Sequence, residues 1–302
     1  MNKKHILLTG SSGFLGRHLA KKLIDLGHHV HGTNSNSTNL LEENSLQRNF
    51  KDIKFDYIFH LAVKTAAGGY CQRHPGEQFL INQTINTNVL NFWFKSNKNA
   101  KLITFGSSCG YNDAVKKTES NYMVGLPETG YEVYGMVKRM LLTGLRSLSD
   151  EFGMKYVYLI PSTIYGPNYD LSDKHFIFEL IRKISDAKYL NVEPVTLWGT
   201  GKQRRDIIYV DDCVDITIGS MDKENEIINL ATGKDYSIKD YAKEICKITD
   251  YDFAKITFDV KQFVGAKSKK IENTKNKEYR FTTVTDGLKK TVDYYKNHRY
   301  GN

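Results

Sequence analysis

The sequence predicts an α/β fold in which a doubly wound parallel sheet is joined by a smaller C-terminal lobe. Short apolar runs alternate with amphipathic helical stretches over most of the chain, which is typical of a parallel sheet wrapped by helices. A glycine-rich turn also connects the first apolar run to the first helical stretch. The length of 302 residues is sufficient for one large domain and a smaller lobe.

The N-terminal segment is the most informative stretch. Its strand, glycine turn, helix and second strand are 4–9, Gly10-Ser11-Ser12-Gly13-Phe14-Leu15-Gly16, 17–26 and 29–31. We expect Gly10 to make the tight turn, Gly13 to let the backbone approach a phosphate and Gly16 to allow close helix–strand packing. Free N–H groups at the helix N-terminus then suit a pyrophosphate. The unit predicts a Rossmann-type dinucleotide site rather than an ordinary turn.

The later elements continue this alternation. Further strands are expected at 57–62, 101–105, 156–160, 207–210 and 227–230, and long helices at 77–95 and 131–152. Pro75 suits the first position of a helix. Asp211 or Asp212 can cap the helix after residue 210, and Ser237 with Asp240 resembles a capping box.

Two stretches fit the alternation less well, which suggests a division of the chain. We predict a dinucleotide-binding domain formed by 1–166 plus 204–231. The remaining segments, 167–203 plus 232–302, form the predicted second, substrate-binding lobe. Because ligands bind at the strand ends of such sheets, this lobe should cover that edge.

Composition excludes several protein classes. The hydrophobic fraction of 40% is ordinary, and no apolar run approaches the roughly 18 residues of a membrane span. No signal peptide is recognised, so a cytoplasmic protein without a membrane partner is expected. The four cysteines lack C-x-x-C spacing, so no metal is expected. The net charge of +9 is spread over many lysines without a nucleic-acid motif; its densest part, 261–277, suits a diphosphate.

Tyr134 and Lys138 are four residues apart on one predicted helix and therefore lie on the same face. An ammonium there lowers the pKa of the phenol, so Tyr134 can exchange a proton with a carbonyl or hydroxyl. The pairing alone is weak, since a second Tyr-x-x-x-Lys starts at Tyr251 and is interpreted as surface. Ser107 and Ser108, at the end of the preceding strand, favour Tyr134 as the site.

The order of these motifs resembles the extended short-chain dehydrogenase/reductases that act on nucleotide sugars, over nearly the whole chain. The matching segments are 9–16, 60–62, Asn82, Asn88, Ser107-Ser108, Tyr134 with Lys138, 165–167 and 205–212. The resemblance implies that Tyr134 is the acid/base, Lys138 positions the nicotinamide ribose and Ser107 binds the reacting oxygen. It implies cofactor contacts at Gly10, Ser12, Gly13, Phe14, Leu15, Gly16, Asn34, Leu61, Ala62, Tyr134, Lys138, Pro161 and Thr163.

Within this group the chain is most similar to the GDP-L-fucose synthases, which epimerise a 4-keto sugar at C3 and C5 and then reduce C4. The similar segments are 68–69, 106–111, 174–177 and 197–201. The resemblance places the proton-transfer cysteine and histidine at Cys109 and His175. A thiolate can take a proton α to a ketone, and an imidazole can return one from the other face. The alternatives are a small buried thiol after a strand and a histidine that caps a helix.

The chain departs from that family at two places. Gly110-Tyr111-Asn112 replaces the family's Ile-Tyr-Pro after the cysteine. The family's NADP-binding arginines have no counterpart, because Ser12 and Asn34 stand at those positions. Without a basic residue to pair a 2′-phosphate, NAD(H) is favoured, while NADP(H) stays open because Asn34 is neutral.

The expected substrate contacts lie mainly in the second lobe. They are Ser108, Phe176, Leu180, Lys183, Trp198, Arg205 and Lys269. The fork of Arg205 matches diphosphate oxygens, although a surface ion pair with Asp206 is the alternative. Trp198 either stacks on a base or fills the interface between the lobes. The resemblance also implies a homodimer through helices containing 82–95 and 138–148.

The sequence therefore predicts an NAD(P)-dependent enzyme that transfers hydride at C4 of a GDP-linked 4-keto sugar, with C3/C5 epimerisation. One alternative is a simpler C4 dehydrogenase/reductase or 4-epimerase on a GDP-hexose or GDP-heptose, with Cys109 and His175 only lining the pocket. Another is a non-catalytic NAD(P)-binding scaffold, against which the intact Ser107, Tyr134 and Lys138 argue. A 4,6-dehydratase is disfavoured because Cys109 stands where those enzymes have an acidic pair.

Overall fold

The computed structural model describes residues 3–65, 69–261 and 266–301; Gly68 and residues 262–265, named above, lie outside this part. Its strands are β1 His5–Thr9, β2 His29–Thr33, β3 Tyr57–His60, β4 Lys101–Phe105, β5 Tyr156–Pro161, β6 Thr163–Tyr165, β7 Val195–Trp198, β8 Arg204–Arg205, β9 Ile207–Tyr209, β10 Glu226–Leu230, β11 Tyr236–Ser237 and β12 Ile256–Asp259. Its helices are α1 Phe14–Asp25, α2 Ser45–Phe50, α3 Tyr70–Arg73, α4 Pro75–Ser96, α5 Glu132–Phe152, α6 Phe176–Leu190, α7 Val210–Gly219, α8 Ile238–Thr249 and α9 Val284–Arg299. None of the described helices is both long and apolar enough to cross a membrane.

Six strands form one parallel sheet in the order β2-β1-β3-β4-β5-β10, which confirms the predicted doubly wound α/β fold. The winding direction reverses between β1 and β3, and ligands bind at the strand ends beside such a reversal. The register places Thr9 beside His60 and His60 beside Thr104. The loops that follow β1, β3 and β4 therefore lie next to one another at one edge of the sheet.

Successive residues of β1 pack on opposite faces of the sheet. Ile6 and Leu8 belong to a cluster that includes residues of α1 and α7, whereas Leu7 packs with residues of α4 and α5. All three side chains are fully buried. Burial of each contributes about 1.5–3 kcal/mol relative to exposure. Both faces are covered by helices, as parallel sheets require.

A third cluster of buried residues unites α6, α8 and α9 with the parallel strands β7 and β12. Tyr165 and Tyr209, from the first predicted domain, pack into this cluster. Conversely, Ile271 from the second predicted segment packs against the main sheet. The two predicted domains therefore interleave at their boundary, and their limits remain a prediction.

The helix-end predictions have mixed outcomes. α4 begins at Pro75, and the capping box of α8 is present: Ser237 Oγ accepts from Asp240 N at 3.1 Å, and Asp240 accepts from Ser237 N at 3.0 Å. The prediction that Asp211 or Asp212 caps α7 is wrong, because the helix already begins at Val210 and both carboxylates lie in its first turn. Asp212 instead accepts from the backbone of the segment before α9.

Three large apolar residues of α4 pack inside the chain. Val89, Phe92 and Trp93 have no exposed surface, and Trp93 Nε1 donates to the Ala100 carbonyl at 2.8 Å. These side chains are therefore unavailable to a second copy. The homodimer remains a prediction that other residues of α4 and α5 would have to support.

Candidate active site

The turn after β1 has the backbone geometry that a pyrophosphate site needs. Gly10 has a φ of +72°, and a Cβ there would lie 2.8 Å from Ala62 N in the loop after β3. A Cβ on Gly16 would collide with the Gly10 carbonyl. α1 begins at Phe14, so the N–H groups of Phe14 and Leu15 have no partner within the helix. These donors, at the positive end of α1, suit a diphosphate.

The same turn is connected to the second lobe. Arg17 donates from Nη1 to the Ser12 carbonyl at 2.6 Å and from Nη2 to the Asn168 carbonyl at 2.5 Å. The Phe14 ring packs edge-on against Phe178, with 6.0 Å between the centroids. Sequence reasoning missed Arg17, because its role depends on a partner 151 residues away.

A hydrogen-bonded network fixes the loop after β3 against the glycine turn. Thr9 Oγ1 accepts from the backbone N–H groups of Leu61 and Ala62 at 3.2 and 3.3 Å. Its hydroxyl also contacts His60 Nδ1 at 2.8 Å, while His60 Nε2 contacts Asn86 Oδ1 at 3.1 Å. Burial lowers the pKa of His60 to about 4, so this histidine is neutral and structural.

The other expected cofactor residues lie near the same edge. Asn34 Oδ1 accepts from the backbone N–H groups of Asn36 and Ser37 at 2.9 and 3.1 Å, which closes a turn directly after β2. Pro161 ends β5 and Thr163 begins β6. Gly13 precedes α1 with an unstrained φ of −70°. The contact of each with a cofactor remains a prediction.

Lys138 and Tyr134 lie close together near the start of α5. Lys138 is 8% exposed, and its Nζ donates to the Phe105 carbonyl at the end of β4 at 2.8 Å. This Nζ lies 5.8 Å from the centroid of the Tyr134 ring. Burial lowers the pKa of Lys138 to about 8. Burial also raises the pKa of the Tyr134 phenol well above its usual range, and Cys109 raises it further. The prediction that Lys138 lowers this pKa is therefore wrong, because burial of the phenol dominates, and the phenol keeps its proton at neutral pH.

The chain leaves β4 through the predicted serines and cysteine. Ser107 Oγ accepts from Cys109 N at 3.2 Å, and a hydrogen bond from the Ser107 hydroxyl lowers the pKa of the Cys109 thiol. Ser108 begins a single 3₁₀ turn that ends at Gly110. A Cβ on Gly135 of α5 would lie 2.6 Å from the Cys109 carbonyl. Gly135, which sequence reasoning missed, therefore allows α5 to pack against the cysteine turn.

A buried ion pair lies beside Cys109. Lys269 Nζ is 2.6 Å from Glu128 Oε1, 4.0 Å from Cys109 Sγ and 4.6 Å from the centroid of the Tyr131 ring. Burial raises the pKa of the Cys109 thiol above its usual range, and the Lys269 ammonium offsets only part of that shift. Sequence analysis found Lys269 but missed Glu128, which no motif marks.

His175 lies apart from these groups. It precedes α6, and its Nδ1 is 2.6 Å from Asp173 Oδ1, with 47% of the imidazole side chain exposed. His175 occupies the N-cap position of α6, but its ring makes no hydrogen bond to the helix backbone. The alternative of a helix-capping histidine is therefore right for the position of the residue and wrong for its side chain. Over the described ranges, no hydrogen bond or ion pair joins His175 to Cys109 or Tyr134.

Arg205 is held by backbone carbonyls. Its Nη1 donates to the carbonyls of Ala266 and Arg204 at 2.9 and 2.8 Å. Asp206 instead accepts from Thr232 Oγ1 at 2.9 Å, so the alternative of an Arg205–Asp206 ion pair is wrong. Burial lowers the pKa of Arg205, and the nearby Glu128 carboxylate opposes this shift.

The remaining substrate residues differ in exposure. Leu180 is 4% exposed within the second-lobe cluster, and Phe176 packs at its edge. Lys183 Nζ donates to the Thr196 carbonyl at 3.0 Å. Trp198 is 59% exposed, so it does not fill an interface between the lobes and is free to stack on a ligand.

Comparison with known proteins places this geometry in a family. The sequence profile of the NAD dependent epimerase/dehydratase family matches residues 6–231. A GDP-L-colitose synthase from Yersinia pseudotuberculosis is 30% identical over 97% of this chain and 98% of its own. A GDP-6-OMe-4-keto-L-xylo-heptose reductase from C. jejuni has a similar structure, with a TM-score of 0.87, 22% identity and 99% of both chains covered.

A GDP-L-fucose synthetase from Naegleria fowleri, solved bound to NADP, gives a TM-score of 0.85 at 21% identity, covering 99% of this chain and 98% of its own. These likenesses confirm the resemblance to nucleotide-sugar enzymes that the motifs indicate. The chain belongs to the NAD dependent epimerase/dehydratase family.

Proposed function

We propose that the protein is an NAD(P)-dependent enzyme that epimerises a GDP-linked 4-keto sugar at C3, C5 or both and reduces C4. The observation that carries this proposal is the convergence of α5 on the end of β4. Lys138 binds the Phe105 carbonyl there, and Gly135 packs against the turn that holds Ser107 and Cys109. The similarity to a GDP-L-colitose synthase, 30% identical over 97% of this chain, supports a GDP-linked sugar.

Reduction at C4 uses a proton from this chain. A nicotinamide cofactor bound at the glycine turn supplies the hydride. Tyr134 donates its proton to the C4 oxygen. The raised pKa of the phenol keeps this proton bound at neutral pH until it is transferred. The Ser107 hydroxyl hydrogen-bonds the same oxygen. Lys138 stabilises the phenolate that remains, and two of its three N–H groups are not used by Phe105 and suit ribose hydroxyls.

Epimerisation requires the removal and return of a proton next to the C4 ketone. Cys109 is the proposed base, as a thiolate, and His175 the proposed acid on the opposite face. A second candidate, a simple C4 reductase or 4-epimerase on a related GDP-hexose or GDP-heptose, is favoured by one observation. His175 is bound to Asp173, and 47% of its side chain is exposed.

We infer that the cofactor is NAD(H) rather than NADP(H). Ser12 and Asn34 offer no positive charge to a 2′-phosphate, and the Asn34 amide oxygen is used within its own turn. Arg17 brings a guanidinium to Ser12, so NADP(H) is the alternative, but Asn168 holds that guanidinium. Dissociation constants for the two reduced cofactors test this, and tighter binding of NADPH than of NADH contradicts it.

We also propose that the protein forms a homodimer. Leu80 of α4 is 66% exposed, and Met136 and Met140 of α5 are each 41% exposed, so they provide apolar surface for a second copy. Sedimentation of the wild type and of Leu80→Glu tests this arrangement. The cytoplasmic location stays a prediction from the sequence.

Deuterium exchange distinguishes the candidates. The protein is incubated with GDP-4-keto-6-deoxymannose in D₂O, with and without reduced cofactor, and deuterium is followed at C3 and C5. Exchange that disappears in Cys109→Ser supports the epimerase/reductase, and reduction without exchange favours plain C4 chemistry. Tyr134→Phe should lower hydride transfer about 10²–10⁴-fold. A protein that binds cofactor but reduces no GDP-4-keto sugar is instead a scaffold.

A further inference from the structure

Cys109 lies beside buried charged groups that the proposed mechanism does not use. Lys269 Nζ is 4.0 Å from Cys109 Sγ and 2.6 Å from Glu128 Oε1. The Glu128 side chain is 1% exposed, and Glu128 N donates to the Cys109 carbonyl at 3.1 Å. Three separate segments of the chain therefore hold a carboxylate, an ammonium and a thiol as one unit.

The charges around this unit do not cancel. Lys117 is 6% exposed, and across the described residues its Nζ has no hydrogen-bond partner. Lys117, Lys269 and Arg205 all interact electrostatically with both Glu128 and Cys109. Lys269 and Arg205 thus face one buried carboxylate, while Lys117, whose pKa burial lowers, and the exposed Asp113 lie further along the same group of charges. This excess of buried positive charge lowers the cost of forming a thiolate at Cys109, whose thiol burial otherwise keeps protonated.

Other ionisable groups near the thiol are neutral or more distant. Cys71 and Tyr134 face Cys109 from α3 and α5, and burial raises the pKa of Tyr134 so that it remains uncharged. Asp113 interacts with Lys117 but is itself exposed. The Lys269 ammonium is therefore the cation in hydrogen-bonding reach of the sulfur.

We propose that Lys269, held in place by Glu128, is the positioning residue that stabilises the thiolate of Cys109. This inference rests on the proposed function, in which the thiolate removes a proton next to the ketone. Burial opposes a charged sulfur, and an ammonium at 4.0 Å offsets that cost. The bond to Glu128 restricts a flexible lysine side chain to the geometry in which it faces the sulfur.

Titration of the thiol tests the inference without any sugar substrate. The ultraviolet absorbance of thiolate is measured against pH for the full-length protein, and the signal of Cys109→Ser is subtracted. Lys269→Met should raise the midpoint by about one pH unit, and Lys269→Arg should restore it. The matched control Lys270→Met, whose ammonium pairs with Glu272, should leave it unchanged.

The competing role of Lys269 is diphosphate binding. GDP affinity is therefore measured for the same variants by calorimetry, and melting temperatures verify that each is folded. An unchanged thiol midpoint in Lys269→Met, with weaker GDP binding, assigns the lysine to the diphosphate and overturns the inference. If Lys269→Met does not fold, Lys269→Gln takes its place, and an unchanged midpoint in that variant overturns the inference. A catalytically inactive protein with the expected midpoints refutes only the proposed function.

Discussion

Gly135→Ala tests whether the close packing of α5 against the turn that holds Cys109 is needed for the reaction. The new Cβ would lie 2.6 Å from the Cys109 carbonyl, about 0.8 Å inside ordinary contact at 3.4 Å, and it would also strike the Pro127 ring. Neither neighbour is the end of a flexible side chain, so the turn has to move. Displacement of a reacting group by this order of distance costs about 10²-fold in rate. Alanine itself favours the helix by roughly 0.5–1 kcal/mol, which limits the loss of stability.

Gly144→Ala is the matched control in the same helix. Its Cβ would meet only the terminal Cδ1 of Leu90, at 2.8 Å, and that side chain can rotate away. We expect the initial rate of C4 reduction to fall about 10²-fold in Gly135→Ala and to change less than twofold in Gly144→Ala. Melting temperatures verify the fold of both proteins. A Gly135→Ala enzyme with the wild-type rate would refute the packing argument.

Three further predictions follow from buried or capping groups. The reductive rate should fall above about pH 8 as Lys138 loses the charge that stabilises the phenolate, and a pH–rate profile of Lys138→Met should lack this limb. Ser237→Ala removes the hydrogen bond from Asp240 N to the Ser237 side chain. It should lower the free energy of unfolding, measured in urea, by about 1 kcal/mol without changing the reductive rate. His60 has a lowered pKa in the folded state, so its contribution to stability is complete above about pH 6.5 and is lost toward pH 4. Urea unfolding should show a loss of roughly 3 kcal/mol over that range, and His60→Gln should remove most of it.

The fold was predictable because its signals are local. A strand of alternating or continuous apolar residues, a glycine turn and a capping box each act over a few residues of sequence. The turn after β1 therefore has the predicted form, with a positive φ at Gly10. The predicted capping box of α8 is likewise present at Ser237. The cap of α7 was mispredicted because Asp212 is used by Thr282, 70 residues away, which no local pattern shows.

The site was predictable only where a motif fixes the spacing. Tyr134 and Lys138 share a helix, so their spacing alone places them on one face. Glu128 and Lys117 come from the irregular connection between β4 and α5, and Lys269 from a segment without regular structure. Their juxtaposition depends on how these segments fold back on the sheet. Charge and residue type alone therefore assign Lys269 to a diphosphate and give no role to Glu128.

The two proposed proton-transfer groups need opposite resting states. Tyr134 has to arrive with its proton, and burial of the phenol ensures this. Cys109 has to arrive without one, although burial works in the same protonating direction there. The Lys269 ammonium, 4.0 Å from the sulfur, is the cation that we propose lowers the cost of this charge. Lys138, bound to a backbone carbonyl below Tyr134, instead acts on the phenolate after the proton has left. Lys138 therefore acts on Tyr134, which donates a proton, and Lys269 acts on Cys109, which removes one.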